Sequence, residues 1–331
     1  MSPQRLLVDV TMTLLALALS PPPSAAGSPL VLAGHSSWVN SVAVASGGVV
    51  ATAGNDGQIG LWRLADGARL AWLHLPRPHP PLGESALLAH LGVPVYSVAF
   101  DPEGRWLAAG CGDGAIHVVE VATRQFVAAL PDASGHVNAV CWLPDGRLLA
   151  GTIDGRLILW DVARRTTVVE RRIFQFPVQG LAASPDGTRV AVASFDSRLR
   201  IVAIPSLAVT ASLTGHKDAV YSVAWSRDGR FVASGSNDHT ALLWDLGDAS
   251  PHPIWQGERP VYAVAFGMDS RRLAVAEQAQ PIRILALPSG QPLAQLVGHT
   301  ADVVALAFTA DGRLVSGARD ATARLWPEQE K

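Results

Sequence analysis

The sequence contains an internal repeat with a period of about 41 residues, which begins near residue 28. Each repeat opens with a short apolar run of the Val-x-x-Val type and continues into a turn rich in Asp, Gly or Ser, a pattern typical of hairpins. The seven runs are residues 39–42, 95–98, 137–140, 178–181, 220–223, 261–264 and 303–306. No stretch of this region has sustained helical periodicity, so the repeating unit is built from strands.

An aspartate at the end of the next strand marks each repeat a second time. The spacing is 41 or 42 residues through the middle of the chain, and a later gap of two periods has Ala279 in place of the marker. The markers are Asp56, Asp113, Asp154, Asp196, Asp238 and Asp320. A period of about 40–45 residues with four short strands each predicts an all-β propeller over residues 28–331.

Over residues 28–331 the chain resembles the WD-repeat β-propellers, because three repeats carry a matching set of His, Ser or Thr, Asp and Trp. The resemblance implies seven blades of four antiparallel strands, with the last blade closed by an N-terminal strand at residues 29–33. It also implies that the four residues form a buried hydrogen-bonded network, so they are structural and not a hydrolase triad. The residues are His35, Thr52, Asp56 and Trp62 in the first repeat, His216, Ser234, Asp238 and Trp244 in the fifth, and His299, Ser316, Asp320 and Trp326 in the seventh.

The other four repeats depart from this set. Val119, Val202 and Leu285 stand at the tryptophan position of the second, fourth and sixth repeats, and the third keeps Trp160 but lacks the histidine. We expect these losses to weaken single blades without changing the count of seven. We also expect the apolar replacements to leave no buried polar atom without a partner.

The scarce Tyr and Asn residues mark a candidate binding surface. All three tyrosines and all four asparagines lie beside the first Val of an innermost strand or directly before a marker aspartate. The family binds proteins or peptides on the face where these positions lie, and amphipathic aromatic residues suit such recognition. Asn55 and Asn237 are equally well explained as turn residues. The candidate partner-binding residues are Trp38, Asn40, Tyr96, His136, Asn138, Gln179, Phe195, Tyr221, Tyr262, Asp302 and Arg319.

Composition limits the function classes. The formal net charge is −2 and no basic stripe is present, which argues against a nucleic-acid partner. There is no phosphate-binding loop and no nucleophile motif, and His74, His79 and His90 lack zinc-site spacing, so we expect no cofactor or metal. The first hypothesis is a non-enzymatic scaffold, a monomeric propeller within a complex that docks a protein or peptide. The alternatives are an enzyme or small-ligand binder using the mouth of the central channel, and a purely structural module.

The N-terminal residues 1–27 differ from the repeats. Arg5, the apolar residues 10–19 and the small residues 24–26 follow the order of a secretory signal peptide, and a disordered extension is the alternative. The prediction is therefore export to the periplasm or secretion, with a cytoplasmic location as the alternative. The apolar run is too short to span a membrane. Two further predictions are that Cys111 and Cys141 are buried free thiols, and that residues 76–92 form an exposed Pro-rich loop.

Overall fold

The computed structural model describes residues 27–75, 92–131, 135–247 and 250–328. Within these ranges the chain forms seven antiparallel sheets of four strands each, arranged as a β-propeller, which confirms the predicted fold. The N-terminal segment 1–26 and most of the Pro-rich segment 76–92 lie outside the described residues, so the signal-peptide and loop predictions stay predictions. The described ranges hold no helix long and apolar enough to cross a membrane.

The strands follow each other in chain order from the inside of each blade to the outside. The first blade has β2 (Val39–Val44), β3 (Val49–Gly54), β4 (Gln58–Arg63) and β5 (Arg69–His74). The second has β6 (Val95–Phe100), β7 (Trp106–Cys111), β8 (Ala115–Glu120) and β9 (Gln125–Pro131). The third has β10 (Val137–Trp142), β11 (Leu148–Thr152), β12 (Arg156–Asp161) and β13 (Thr166–Arg172). The fourth has β14 (Val178–Ala183), β15 (Arg189–Ser194), β16 (Arg198–Ala203) and β17 (Ala208–Thr214).

The remaining three blades follow the same order, except that the first strand of the chain completes the last blade. The fifth has β18 (Val220–Trp225), β19 (Phe231–Ser236), β20 (Thr240–Asp245) and β21 (Pro251–Gln256). The sixth has β22 (Val261–Phe266), β23 (Arg272–Glu277), β24 (Ile282–Ala286) and β25 (Pro292–Leu296). The seventh has β26 (Val303–Phe308), β27 (Leu314–Ala318), β28 (Thr322–Trp326) and, on its outside, β1 (Leu30–Ala33).

The ring closes as the sequence predicted. Strand β1 pairs antiparallel with β28, with Leu30 opposite Leu325 and Ala33 opposite Thr322. Leu32 of β1 is buried between the seventh and first blades. The pairing covers the outer edge of β28, which would otherwise expose its backbone hydrogen-bonding groups.

The hydrophobic core lies between neighbouring blades. Each apolar cluster combines the faces of two adjacent sheets, as in the cluster of Leu61 and Leu73 with Val95 and Leu107 between the first and second blades. Serines of the innermost strands add bonds between blades, and Ser41 Oγ accepts the Val98 backbone N–H at 3.1 Å. Each blade is therefore stabilised by its neighbours.

A β-bulge occurs at the same place in every innermost strand, directly after its first Val. The pairing register shifts by one residue there, for example between Val39 and Ser41 in β2. A bulge leaves one residue out of the ladder and redirects its side chain. The bulged residues are Asn40, Tyr96, Asn138, Gln179, Tyr221, Tyr262 and Val304.

Candidate functional site

The predicted buried network is present in the first, fifth and seventh blades. In the fifth, His216 Nδ1 lies 2.9 Å from an Asp238 carboxylate oxygen and His216 Nε2 lies 2.7 Å from Ser234 Oγ. The Trp244 Nε1–H donates to the same Ser234 oxygen at 2.9 Å. An ionised carboxylate only accepts, so Nδ1 carries the imidazole proton and the serine hydroxyl donates to Nε2. The equivalent contacts join His35, Thr52, Asp56 and Trp62, and His299, Ser316, Asp320 and Trp326.

The network shifts the titration of its members. Burial lowers the pKa of His216, and the bond to Asp238 offsets only part of that effect. Burial acts to raise the pKa of Asp238, but hydrogen bonds from Thr240, Lys217 and His216 outweigh it and hold that pKa below its ordinary value. A neutral imidazole therefore sits beside an ionised carboxylate at neutral pH, as a structural role requires.

The blades that lack the tryptophan have a replacement that sequence reasoning missed. In the second blade, His117 Nε2 lies 2.9 Å from the Asp113 carboxylate. In the fourth, Arg200 Nη1 forms an ion pair at 2.6 Å with Asp196, although the two groups are not aligned for a hydrogen bond. The available signal was a polar residue two positions before the tryptophan position in an otherwise apolar strand.

The sixth blade also pairs an arginine with an acid, but the acid is Glu277, two residues before the missing marker at Ala279. Arg283 Nη1 lies 3.2 Å from Glu277 Oε2, and Glu277 Oε1 accepts the backbone N–H groups of Glu258 and Arg259 at 2.8 and 2.9 Å. Ala279, where the marker is missing, has a left-handed φ of 53°. Gly257 stands at the histidine position, and a Cβ there would collide with the Glu277 carboxylate.

The expectation that the apolar replacements leave no buried polar atom without a partner is wrong for the second blade, at His117. The third blade, which keeps its tryptophan, also has an unpaired donor. Trp160 of the third blade is buried, and its Nε1 has no hydrogen-bond partner among the described residues. The hydroxyl that serves Trp244 lies ten residues earlier, at Ser234, and the equivalent residue in the third blade is Ala150. Losing the hydroxyl while keeping the indole leaves a buried donor unpaired. His117 Nδ1 is unpaired in the same way.

The candidate binding residues meet at one end of the central channel, here called the channel mouth. A cavity of about 480 Å³ there is lined by Trp38, Asn40, Tyr96, His136, Asn138, Ile153, Gln179, Tyr221, Tyr262, Val304 and Arg319. Nine of these eleven belong to the candidate set, whereas Ile153 and Val304 do not. All seven bulged residues are included, so the bulges position the lining.

The two remaining candidates contact residues that line the mouth. The Phe195 ring lies 5.7 Å from the Tyr221 ring, edge to face, and Asp302 Oδ2 accepts a hydrogen bond from Arg319 Nη1 at 2.9 Å. The Tyr221 ring in turn lies 5.3 Å from that of Tyr262. The Arg319 guanidinium lies over both Tyr262 and Trp38, at 5.0 and 4.7 Å from the ring centroids. The result is a connected aromatic arc from the fourth blade round to the first.

Several polar groups of the mouth already have partners within the fold. The Asn40 and Asn138 side-chain amides donate to the carbonyl oxygens of Val95 and Val178 in the next blade, at 3.0 and 3.2 Å. The Tyr221 hydroxyl donates to Asn237 Oδ1 at 3.1 Å. Both asparagines therefore connect blades, in addition to the contact role predicted for them.

One group of potential metal ligands is present that the sequence analysis did not assemble. The Cys111 thiol, an Asp113 oxygen and a His117 nitrogen lie within 4.8 Å of one another. His117 and Asp113 are already paired, and burial raises the pKa of the Cys111 thiol well above its ordinary value. Cys141 is half-buried rather than buried as predicted, and loss of solvent around its thiol raises the pKa to about 11. Both cysteines are free, and we assign the Asp113–His117 pair to the fold.

Comparison with known proteins identifies the family. The sequence profile described as "WD domain, G-beta repeat" matches residues 28–63, 84–119, 125–161, 171–202, 208–245 and 290–327. These segments cover more than half of the chain, which therefore belongs to the WD-repeat family. The matches leave out most of the sixth blade, where Gly257 and Ala279 replace the usual polar residues.

Individual relatives are similar at moderate identity. The chain is 28% identical over 303 residues to telomerase protein component 1 of Rattus norvegicus, covering 86% of this chain and 11% of that protein. It is 26% identical over 266 residues to THO complex subunit 3 of Arabidopsis thaliana, covering 80% of this chain and 81% of that one. It is 28% identical over 162 residues to protein HIR1 of Cryptococcus neoformans, covering 45% and 16%. The chain thus spans about a tenth of the telomerase component.

Proposed function

We propose that this protein is a non-enzymatic interaction scaffold that docks a protein or peptide segment at the channel mouth. The connected aromatic arc around Arg319 carries the proposal. Its side chains come from several blades of one ring, so a partner segment binds with a low cost in ordering. Two of the relatives are named as parts of assemblies, a THO complex subunit and a telomerase protein component, which supports a role within a complex.

The chemistry of the lining supports binding rather than catalysis. An acid–base mechanism needs two titratable groups positioned on either side of a substrate. His136 is the one imidazole among the eleven lining residues, and no carboxylate lines the cavity beside it. The His216, Ser234 and Asp238 set is buried and engaged with Trp244, so it has no access to a substrate.

A second candidate, a small-ligand binder at the same mouth, is favoured by the cavity volume of about 480 Å³. That volume falls within the range of about 300–1,000 Å³ for ligand pockets. A screen of metabolite mixtures by thermal shift separates this candidate from the first. A metabolite that raises the melting temperature of the wild-type protein in a saturable way, but not that of Trp38→Ala, would favour the small-ligand candidate.

The test of the scaffold proposal is quantitative capture from the native host. We expect the combined change of Tyr96, Tyr221 and Tyr262 to Ala to remove partners that the wild-type protein retains, while far-UV circular dichroism and cooperative unfolding persist. The single change Trp38→Ala, at an exposed side chain, gives a partial loss with less risk to folding.

The control changes exposed residues on the opposite face of the ring. In antiparallel blades the turns between first and second strands, and between third and fourth, lie at the other end from the mouth. Glu103, Asp145 and Arg164 lie in such turns, and replacing all three with Ala should leave capture unchanged. Partners that survive the triple Tyr change but are lost in this control would refute docking at the mouth.

A further inference from the structure

The side chains that line the channel mouth are basic or uncharged, although acidic residues lie beside them. Arg319 and His136 are among its lining residues, and none of the eleven is Asp or Glu. Two acidic residues beside the mouth, Asp302 and Asp218, already have partners within the fold. Asp302 accepts from Arg319 through one oxygen and from the Ala279 backbone N–H through the other. Asp218 accepts from the Ala219 backbone N–H and from Asn237. Arg319 also takes part in the pair with Asp302, but that bond uses one of its N–H donors and leaves others for a ligand.

Arg319 is held ready for an acceptor. Its guanidinium lies over the rings of Trp38 and Tyr262, which restrict its movement. A guanidinium has five N–H donors, and one of them is used on Asp302 at 2.9 Å. Its Nε–H is buried without an acceptor in the described structure. A third of the side chain is exposed to solvent. A carboxylate suits such a planar donor, because guanidinium–carboxylate pairs form directed, charge-assisted bonds.

Exposed apolar side chains flank this arginine on two sides. Across the mouth, on the third and fourth blades, Ile153, Phe176 and Phe195 are 40%, 50% and 39% exposed. These residues lie in turns or loops that open towards the mouth face.

On the other side, Val297 is 72% exposed at a groove of about 430 Å³ between the sixth and seventh blades. The groove also includes Pro281, Ile282 and Leu296, and Asp302 is one of its lining residues. Asp302 therefore connects the groove to Arg319.

We propose that the partner of this mouth is an extended peptide segment with an acidic side chain between two apolar ones. The Asp or Glu carboxylate binds Arg319, one apolar side chain packs on Phe176 and Phe195, and the other enters the Val297 groove. Apolar surface on both sides favours an internal acidic residue over a chain end. A phosphorylated side chain carries nearly two charges at neutral pH, and a single lining arginine matches a carboxylate better. This inference rests on the proposed docking function.

The test uses the full chain and four libraries of twelve-residue peptides, with a fixed central Glu, Gln, Lys or phosphoserine and random flanks. Enriched peptides are resynthesised, and Kd is measured by fluorescence anisotropy. We expect the Glu library to yield the tightest binders, with apolar residues enriched on both sides. Changing the central Glu to Gln should weaken them about tenfold or more, the loss expected for a charge-assisted bond.

Variants of single residues test which side chains make the proposed contacts with the peptide. Arg319→Gln should weaken Glu peptides about tenfold and abolish the discrimination between Glu and Gln, and Arg319→Lys should be intermediate because it keeps the charge but loses the planar fork. Val297→Ser should weaken all binders about threefold to tenfold without changing the central preference. Arg164→Gln, on the opposite face, is the matched control and should have no effect. Unfolding curves verify that each variant is folded.

The outcomes separate this inference from the function on which it rests. Equal or tighter binding of Gln, Lys or phosphoserine peptides, or an Arg319→Gln variant that still prefers Glu, would overturn the acidic specificity. If the triple Tyr variant nevertheless fails to bind those peptides, docking at the mouth is still supported. If no library yields a peptide that the mouth variants weaken, the acidic segment is refuted, and the capture experiment decides the scaffold proposal separately.

Discussion

Glu277 is the residue whose removal tests most sharply how the sixth blade is held together. Its side chain is 3% exposed, it pairs with Arg283, and it accepts the backbone N–H groups of Glu258 and Arg259. No other blade places its acid at this position. Glu277→Ala removes the acceptor while all three donors stay in place, so it leaves a half-buried arginine and two partly buried amides without their acceptor.

The expected magnitude follows from these contacts. Breaking a buried ion pair by removing one member typically costs about 3–5 kcal/mol. A fully buried amide that loses its acceptor costs about 1–3 kcal/mol, and the two amides here add less because they are partly buried and water replaces part of the lost bond. These terms are not independent, so we expect Glu277→Ala to reduce the free energy of unfolding by about 3–5 kcal/mol. Glu277→Gln keeps the shape and one acceptor oxygen, and should cost about half as much.

The assay is equilibrium urea unfolding at neutral pH, followed by tryptophan fluorescence and by circular dichroism. Glu170→Ala is the matched control, because Glu170 also pairs with an arginine, Arg156, but its side chain is 42% exposed. Exposed ion pairs contribute about 0–1 kcal/mol, so the control should remain near wild type. A Glu277→Ala or Glu277→Gln variant no less stable than Glu170→Ala would refute the assignment. If the Ala variant does not fold, the Gln variant still gives a measurable value.

Three further predictions use the same unfolding assay. Trp244→Phe should reduce the free energy of unfolding by about 1–3 kcal/mol, because Ser234 loses the hydrogen bond that the indole donates. Trp160→Phe should cost less than half as much, because the Trp160 Nε1 has no partner to lose. Equal costs for the two variants would contradict the stabilising role of the network. The free energy of unfolding should fall as pH drops below about 6.5, because burial lowers the pKa of folded His216 and the unfolded chain takes up the proton first. It should fall again below pH 3.8, because the folded pKa of Asp238 is depressed and the unfolded carboxylate is protonated first. A His216→Gln variant should flatten the first step, and a variant with an unchanged pH profile would contradict the assignment to His216. Leu32→Ala should cost about 2–5 kcal/mol, since this buried side chain of β1 closes the ring, and a neutral result would mean that β1 is dispensable.

The sequence predicted most of the fold because the repeat is a local signal. The position of each innermost strand follows from its apolar run, and each marker aspartate locates a turn. The same regularity predicted the closing strand, since the residues before the first Gly-His pair had no other place in the repeat. The network of Trp62, Trp244 and Trp326 was implied by the resemblance to the WD-repeat family, and its residue types fit buried hydrogen bonding.

The candidate site was predicted by position, and its contacts were not. Nine of the eleven mouth residues follow from fixed offsets within the repeat. Six of them are the bulged residue after the first Val of an innermost strand, and the other three, Trp38, His136 and Arg319, lie directly before that Val or before the marker position. The stacking of Arg319 on Trp38 and Tyr262 joins residues of the seventh, first and sixth blades, and the seventh and first become adjacent only when the ring closes. No spacing in the chain encodes that contact.

Periodicity within about 40 residues is enough to predict the number of blades, their strand order and the positions of the mouth residues. How the blades that depart from the repeat pair their buried polar groups is visible only in the folded chain. Glu277 pairs with Arg283 because side chains from different strands meet in a buried space. The Trp160 indole has no acceptor among the described residues for the same kind of reason, since Ala150 lies where other blades have a hydroxyl. There each unmatched polar group costs free energy, and the partner that compensates it is selected by distance in space rather than by distance along the chain.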